Sequence, residues 1–267
     1  MVQAGDSPFS NPASDSLSPA PPSLTLISQT VGLVGGASRK VETWSAPPGL
    51  LLKVAGGSDF YIAQDGQYIQ RVEPNSTESP WPKLDREILV GPVLVLALAL
   101  RGVWCLHASA ITYNGRVLLF LGESGEGKST LSTYLGSTGD PSIKLAADDI
   151  LPVTLDESSL TAWPHFPQLK LPLNTQPGPA LPEKLPVGWI CLLDTSDDIS
   201  IQPLSPSDAA QIILRHTAGT RLLPPELLAG HLTFCTQAAS KIRMFQLSYP
   251  RRMDALPQVK KLLDALC

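Results

Sequence analysis

The chain has no surplus of positive charge: 20 Lys and Arg stand against 24 Asp and Glu, a formal charge of −4 over 267 residues. A broad nucleic-acid-binding face draws on a basic excess to neutralise phosphates, so no nucleic-acid partner is expected. Cysteine is sparse. Cys105, Cys191, Cys235 and Cys267 lie far apart. With neither a CxxC pair nor a His/Cys cluster, they read as free thiols in a reducing cytoplasm rather than zinc ligands. The N-terminus, MVQAGDSPFSNPASD, lacks a basic start followed by an apolar core, so no signal peptide is expected. The longest apolar run, ILVGPVLVLALAL at residues 88–100, falls short of the roughly 20 residues that cross a bilayer. Pro92 interrupts it and Arg101 closes it, so it reads as a core helix and no membrane partner is expected.

What is present suits a folded protein: 43% apolar and 16% charged residues, with 26 prolines that favour short helices and rigid connections. Residues 1–22, rich in Ser, Pro, Ala and Asn, read as a disordered tail because they bury too little apolar area to offset chain entropy. Residues 23–83 read as a small β-rich subdomain with its linker (74–83). Its Asp65-Gly66 pair between apolar runs is a hairpin signal. Residues 84–267 read as the main domain. It opens with a mostly buried helix over 85–103, then strands at CLHASAI (105–111) and VLLFLG (117–122) joined by an Asn114-Gly115 turn. A helix should begin at 128–135 with Gly136 as a stop. Further strands are expected at 143–150 and 187–193, and amphipathic helices at 206–217 and 253–266. There is no internal repeat.

Residues 122–130 read GESGEGKST, and Gly122, Gly127, Lys128 and Ser129 satisfy G-x-x-x-x-G-K-[ST]. The pattern answers a physical demand. A loop of Gly122, Glu123, Ser124, Gly125, Glu126 and Gly127 turns tightly enough to aim several N–H groups at one polyphosphate, because its glycines allow angles and approaches that a Cβ blocks. The following helix, with Thr130 in its first turn, adds its positive end. Lys128 supplies a full charge, and the Ser129 hydroxyl is a hard oxygen ligand for Mg²⁺.

The pair Asp148-Asp149 follows the apolar run 145–147 at what should be a strand end. There, one carboxylate can approach a metal and the other can take a proton from an attacking hydroxyl. A solvated turn would also explain such a pair. His107 is either a hydrogen-bonded core histidine or part of the site. His165, His216 and His231 carry no pattern and read as structural. Lys170, Arg215, Arg221 and Arg243 could each reach a phosphate.

The combination LHASAI (106–111), FLGESGEGKST (120–130) and ADDI (147–150) resembles the catalytic domain of HPr kinase/phosphorylase and its diverged relatives. The likeness is strongest to the HPr-kinase-like proteins of peptide-modification (lasso-peptide) clusters, which the closing run LSYPRRMDALPQVKKLLDAL (247–266) also looks like. It covers roughly residues 84–266. The resemblance implies an α/β P-loop fold of the phosphoenolpyruvate-carboxykinase type with a mixed sheet. It implies ATP and Mg²⁺ as cofactors and a serine hydroxyl on a protein or peptide as acceptor. It also implies Asp148 as the base, Asp149 beside Ser129 at the metal, and His107 near the catalytic carboxylate. The family's EIRGLGI-like stretch is replaced here by HFPQLKLPL (165–173), where Lys170 stands as a possible basic substitute. That departure puts a phosphorylase reaction and recognition of HPr in doubt. Two other readings stay open: a non-catalytic nucleotide-binding scaffold and a small-molecule kinase. The absence of LSGGQ disfavours an ABC ATPase, and the absence of NKxD a GTPase.

Overall fold

The computed structural model describes residues 24–72, 81–168 and 181–266. The proposed tail, most of the linker, Lys170 and Cys267 lie outside the described residues.

Alternating burial builds the first unit. Strands β1 (Thr25–Val34), β2 (Ala37–Ala46), β3 (Gly49–Val54), β4 (Asp59–Ala63) and β5 (Ile69–Val72) form one antiparallel sheet in chain order, with β1 at an edge. The Asp65-Gly66 turn joins β4 to β5 as expected; Gly66 takes φ 65° and the Asp65 carboxylate accepts the Gln67 N–H.

The helix expected over 85–103 is two short ones. α1 (Lys83–Ile88) and α2 (Leu94–Leu100) flank a π-type turn at Leu89–Val93. Pro92 has no N–H to donate and Gly91 leaves helical angles (φ −97°, ψ −109°), so the 3.6-residue ladder breaks there. α1 is tied back to the first sheet by Asp85, which is buried, pairs with Arg71 at 3.0 Å and accepts from the Ser58 N–H and hydroxyl.

The second sheet is mixed and seven-stranded. It contains β6 (Trp104–Tyr113), β7 (Arg116–Leu121), β8 (Ile143–Leu155), β9 (Leu160–Ala162), β10 (Leu185–Thr195), β11 (Ser200–Pro203) and β12 (Arg243–Tyr249). Its order is β11-β12-β10-β7-β6-β8-β9, and only the β12-β10-β7 core is parallel. β6 and β7 meet at Asn114 and Gly115, both at positive φ as a two-residue hairpin requires. Helices α3 (Lys128–Gly136) and α6 (Leu256–Asp264) cover one face around Phe120, Trp189 and Val259. The other face carries α4 (Pro206–His216), α5 (Pro225–Lys241) and the first sheet. There, Leu52, Phe60 and Ile62 share one apolar cluster with Leu106, Leu119 and Phe234.

One expectation fails in a way that matters for the site. The strand bearing Asp148 and Asp149 does not end at them: β8 runs on to Leu155, and the pair sits in its middle. The reason is the length of β6, which pairs with β8 from Tyr113 through Trp104 and so keeps the backbone extended past the carboxylates. Sequence reading also passed over α5, the longest helix; its apolar positions are diluted by Gly, Thr and Gln, which blurs the helical period. Cys105, Cys191 and Cys235 are buried, and Cys105 and Cys235 are free thiols, as expected. Burial pushes the Cys105 and Cys235 thiols up to about 12. Among the described residues no helix is long and apolar enough to cross a membrane.

Candidate functional site

β7 is central in the sheet and ends at Leu121; the glycine-rich loop follows, and α3 begins at Lys128. This is the strand–loop–helix context the motif requires. Gly125 and Gly127 both take φ 87°. A Cβ on Gly127 would also come within 3.1 Å of the Tyr249 hydroxyl, so that position is closed to larger residues twice over. The buried Lys128 ammonium donates to the carbonyls of Gly122 (2.7 Å) and Glu123 (2.9 Å), curling the loop around its own charge.

The adjacent antiparallel strands bring the other groups in. Register sets Ser109 of β6 opposite Asp148 of β8, and Ala108 opposite Asp149. The buried Ser109 hydroxyl donates to Asp148 Oδ1 at 2.8 Å. His107 Nδ1 lies 3.4 Å from Asp149 Oδ1. Most of the residues that sequence reading chose line one cavity of about 190 Å³; Gly122, Glu123 and Glu126 of the predicted loop do not. The loop and α3 contribute Ser124, Gly125, Gly127, Lys128, Ser129 and Thr130; the strands contribute His107, Asp148 and Asp149. Ser129 with a carboxylate gives the hard-oxygen pair that Mg²⁺ takes when phosphates and water complete its shell. Among the described residues no group of three or more His, Cys, Asp or Glu forms an all-protein metal cage.

Glu123 and Glu126 act on the loop itself. One Glu126 oxygen accepts the Glu123 N–H, and the other faces Arg251 Nη2 at 3.8 Å; Arg251 Nη1 also donates to the Gly125 carbonyl. A carboxylate therefore occupies one of the loop's anion-seeking amides.

Asp149 also borders a second cavity, apolar and of about 580 Å³. Residues 30–36 form one wall and 218–222 the other, with Val95 and Phe166 among the side chains between them.

The late basic residues scatter. Arg221 lines the apolar cavity. Arg215 is exposed on α4. Arg243 opens β12 at the sheet end opposite the loop, in a separate cavity with Arg116 and Lys241. Lys170 lies outside the described residues.

Sequence reading missed three partners. Ser109, two residues after His107, was open to discovery by strand periodicity. Gln168 is buried and its side chain serves the bare edge of β8: its oxygen accepts from Asp148 N and Asp149 N, and its amide donates to the Ile150 and Phe166 carbonyls. Arg251 carries no local signal. His216, read as structural, is buried and lies in the electrostatic field of the loop residues Glu123 and Lys128. Desolvation holds its imidazole below the usual histidine range; Glu123 opposes this, while Lys128, Arg215 and His107 reinforce it.

These features define a mixed-sheet α/β protein with a glycine-rich strand–loop–helix unit facing paired carboxylates. No family model and no curated protein matches the chain. Among solved structures it is similar to the HPr(Ser) kinase/phosphatase from Coxiella burnetii, at 15% identity over 60% of this chain and 94% of that chain, with a TM-score of 0.34. A superposition that loose carries no inference about activity; the geometry of the site does.

Proposed function

We propose that the chain is an ATP- and Mg²⁺-dependent phosphotransferase of the serine-kinase type, moving the γ-phosphoryl group to a hydroxyl on a protein or peptide. One observation carries this reading: a single cavity is lined by Lys128 and Ser129 on one side and by Asp148, Asp149 and His107 on the other. Loop amides and Lys128 bind the polyphosphate and offset the charge spread over the transferring group. Mg²⁺, when bound, neutralises the phosphate oxygens. A carboxylate takes the hydroxyl proton as the new O–P bond forms and the bridging oxygen leaves with ADP.

The resemblance assigned the proton to Asp148. The geometry supports the reverse. Asp149 stands next to His107 and borders both cavities, so a hydroxyl arriving from outside the phosphate pocket meets it first. Asp148 lines only the phosphate cavity and is oriented by Ser109, which suits a metal ligand opposite Ser129.

Labelled ATP with Mg²⁺ and a serine-bearing acceptor tests this. Asp149→Asn should keep Mg·ATP binding and lose transfer by about 10²-fold or more. Asp148→Asn should weaken the Mg²⁺ dependence of ATP binding. The opposite pattern restores Asp148 as base. ATP bound by the wild-type chain with no acceptor ever labelled would leave a nucleotide-binding scaffold.

A further inference from the structure

A separate set of charges stands at the far end of the seven-stranded sheet, where the parallel strands β7, β10 and β12 begin. Register aligns their starts: Trp189 of β10 lies opposite Leu118 of β7 and Arg243 of β12. Alternation fixes the face on which each basic residue stands. Arg116 shares its face with Leu118 and Phe120, and Arg243 shares its face with Phe245 and Leu247; these four pack in or against the cluster under α3 and α6. Between the two strands, β10 carries a register shift from Val187 to Trp189 that leaves Gly188 as the extra residue. A Cβ on Gly188 would meet Leu118 Cδ2 at 3.1 Å and Arg116 Cβ at 3.4 Å. The bare glycine thus lets the Arg116 stem lie against β10, on the side towards Arg243. A third cation, Lys241, closes α5 and is fixed by the carbonyls of Asp156 (3.0 Å) and Glu157 (2.8 Å). All three line one cavity of about 480 Å³, and no Asp or Glu is among its described lining residues. The Asp156 carboxylate nearby turns back on its own loop, accepting from the Ser158 and Ser159 N–H groups. Among the described residues neither Arg116 nor Arg243 has a hydrogen-bond or ion-pair partner.

We propose that this cavity binds a small molecule bearing an oxyanion of two negative charges, a phosphoryl group or a pair of carboxylates, gripped by Arg116 and Arg243 with Lys241 beside them. Three like charges around one space repel each other, and an anion among them removes that cost. A guanidinium fork matches the oxygen spacing of phosphate and carboxylate alike and makes charge-assisted bonds to either. The cavity's volume falls in the range of small-molecule sites, and Leu118, Leu160 and Trp189 offer apolar surface to the carbon body that carries the charge. The site is remote from the glycine-rich loop: β7 runs six residues from Arg116 to Leu121 before that loop begins, about 20 Å at the rise of a strand. An anion held here is therefore not the phosphoryl group being transferred, and the proposal stands apart from the phosphotransferase reading.

The test is equilibrium dialysis of the full-length protein against radiolabelled inorganic phosphate and, separately, radiolabelled malonate, at constant ionic strength, counting anions held per chain. Both arginines are exposed, so the double variant Arg116→Gln/Arg243→Gln should keep its fold, which a melting curve verifies. It should hold one anion per chain fewer than the wild type, or hold that anion at least about tenfold more weakly. Lys128→Ala disables the glycine-rich loop as a rival phosphate site and should leave this one filled. The two probes separate the sources: retention of phosphate alone assigns a phosphoryl-bearing ligand, and retention of malonate alone or of both assigns carboxylates to the ligand class as well. Neither anion held by the wild type, the same count and affinity in the double variant, or loss of every bound anion in Lys128→Ala overturns the proposal.

Discussion

The two cavities that share Asp149 are built on opposite principles. The phosphate cavity, about 190 Å³, is polar and comes from one loop, the first turn of α3 and two paired strands. The second, about 580 Å³, is apolar and joins β1, the π-type turn, Phe166 and the 218–222 stretch. Binding a polyphosphate demands particular atoms at fixed spacing, so the first cavity needs glycine, lysine and a hydroxyl in one order. An apolar cavity makes no such demand, since many residues supply an apolar wall. A site that needs particular residue types leaves a motif, and one that needs only apolar surface leaves none.

The contrast can be broken by substitution. Lys128→Ala should have the largest effect: it removes the cation of the phosphate cavity and its two bonds to loop carbonyls. Loss of a charged hydrogen-bonding partner costs about 1.5–3 kcal/mol, so calorimetry should find ATP affinity down by about 10- to 100-fold or more. Melting temperature should change little beside that loss, and a collapse of the fold would mean that Lys128 serves the loop's structure more than its ligand. Next comes Gln168→Leu, at the seam between them. It strands two N–H groups and two carbonyls beside the carboxylates. At about 1–3 kcal/mol for an orphaned buried group, and with water repairing part of the damage, urea unfolding should show a loss of about 3 kcal/mol. A near-neutral result would show that another group serves that edge. Glu126→Ala should act more gently and in the opposite sense. It removes a carboxylate from the anion-seeking loop, so ATP affinity should rise by up to about tenfold as like-charge repulsion disappears. A weaker complex would show instead that the Glu126–Arg251 contact holds the loop in its binding shape.

What could be read beforehand follows the same division. The glycine-rich loop, the Asn114-Gly115 and Asp65-Gly66 hairpins and the start of α3 were legible because each depends on residues adjacent in the chain. Asp148 and Asp149 were legible as chemistry but not as geometry. Whether β8 stops at them or runs on is decided by how far β6 extends, 39 residues away at the Ser109 contact. Gln168 and Arg251 were not legible, since a lone amide or guanidinium announces no partner until the fold closes. The helix over 85–103 was half right: its apolar run predicted burial, and Pro92 marked the break that the run itself disguised.

The smallest expected effect concerns the wall between the cavities. Residues 216–222 leave α4 and are pinned to β6 by the Leu106–Thr217 bridge and by the Ala218 N–H to the Cys105 carbonyl. Thr217 is held in turn by His231 Nε2 at 2.9 Å. Both His216 and His231 are buried, and burial lowers both from the ordinary 6.5. The sign follows from proton counting. Between the lowered folded value and 6.5 the unfolded chain binds more protons than the folded one, so stability falls as pH drops through that window. Well above 6.5 both states are neutral and neither histidine contributes a slope. Melting temperature measured from pH 7.5 downward should therefore be flat and then decline below about 6.5. His231→Gln keeps a hydrogen bond to Thr217 without a titrating group, and should flatten part of that decline. His231 acts on the segment after α4 through Thr217, whereas His216 lies in the field of Glu123 and Lys128 of the glycine-rich loop, so His231→Gln should leave ATP affinity at pH 7.5 unchanged while it flattens the melting decline; a weaker ATP complex would show that the segment also supports the phosphate cavity.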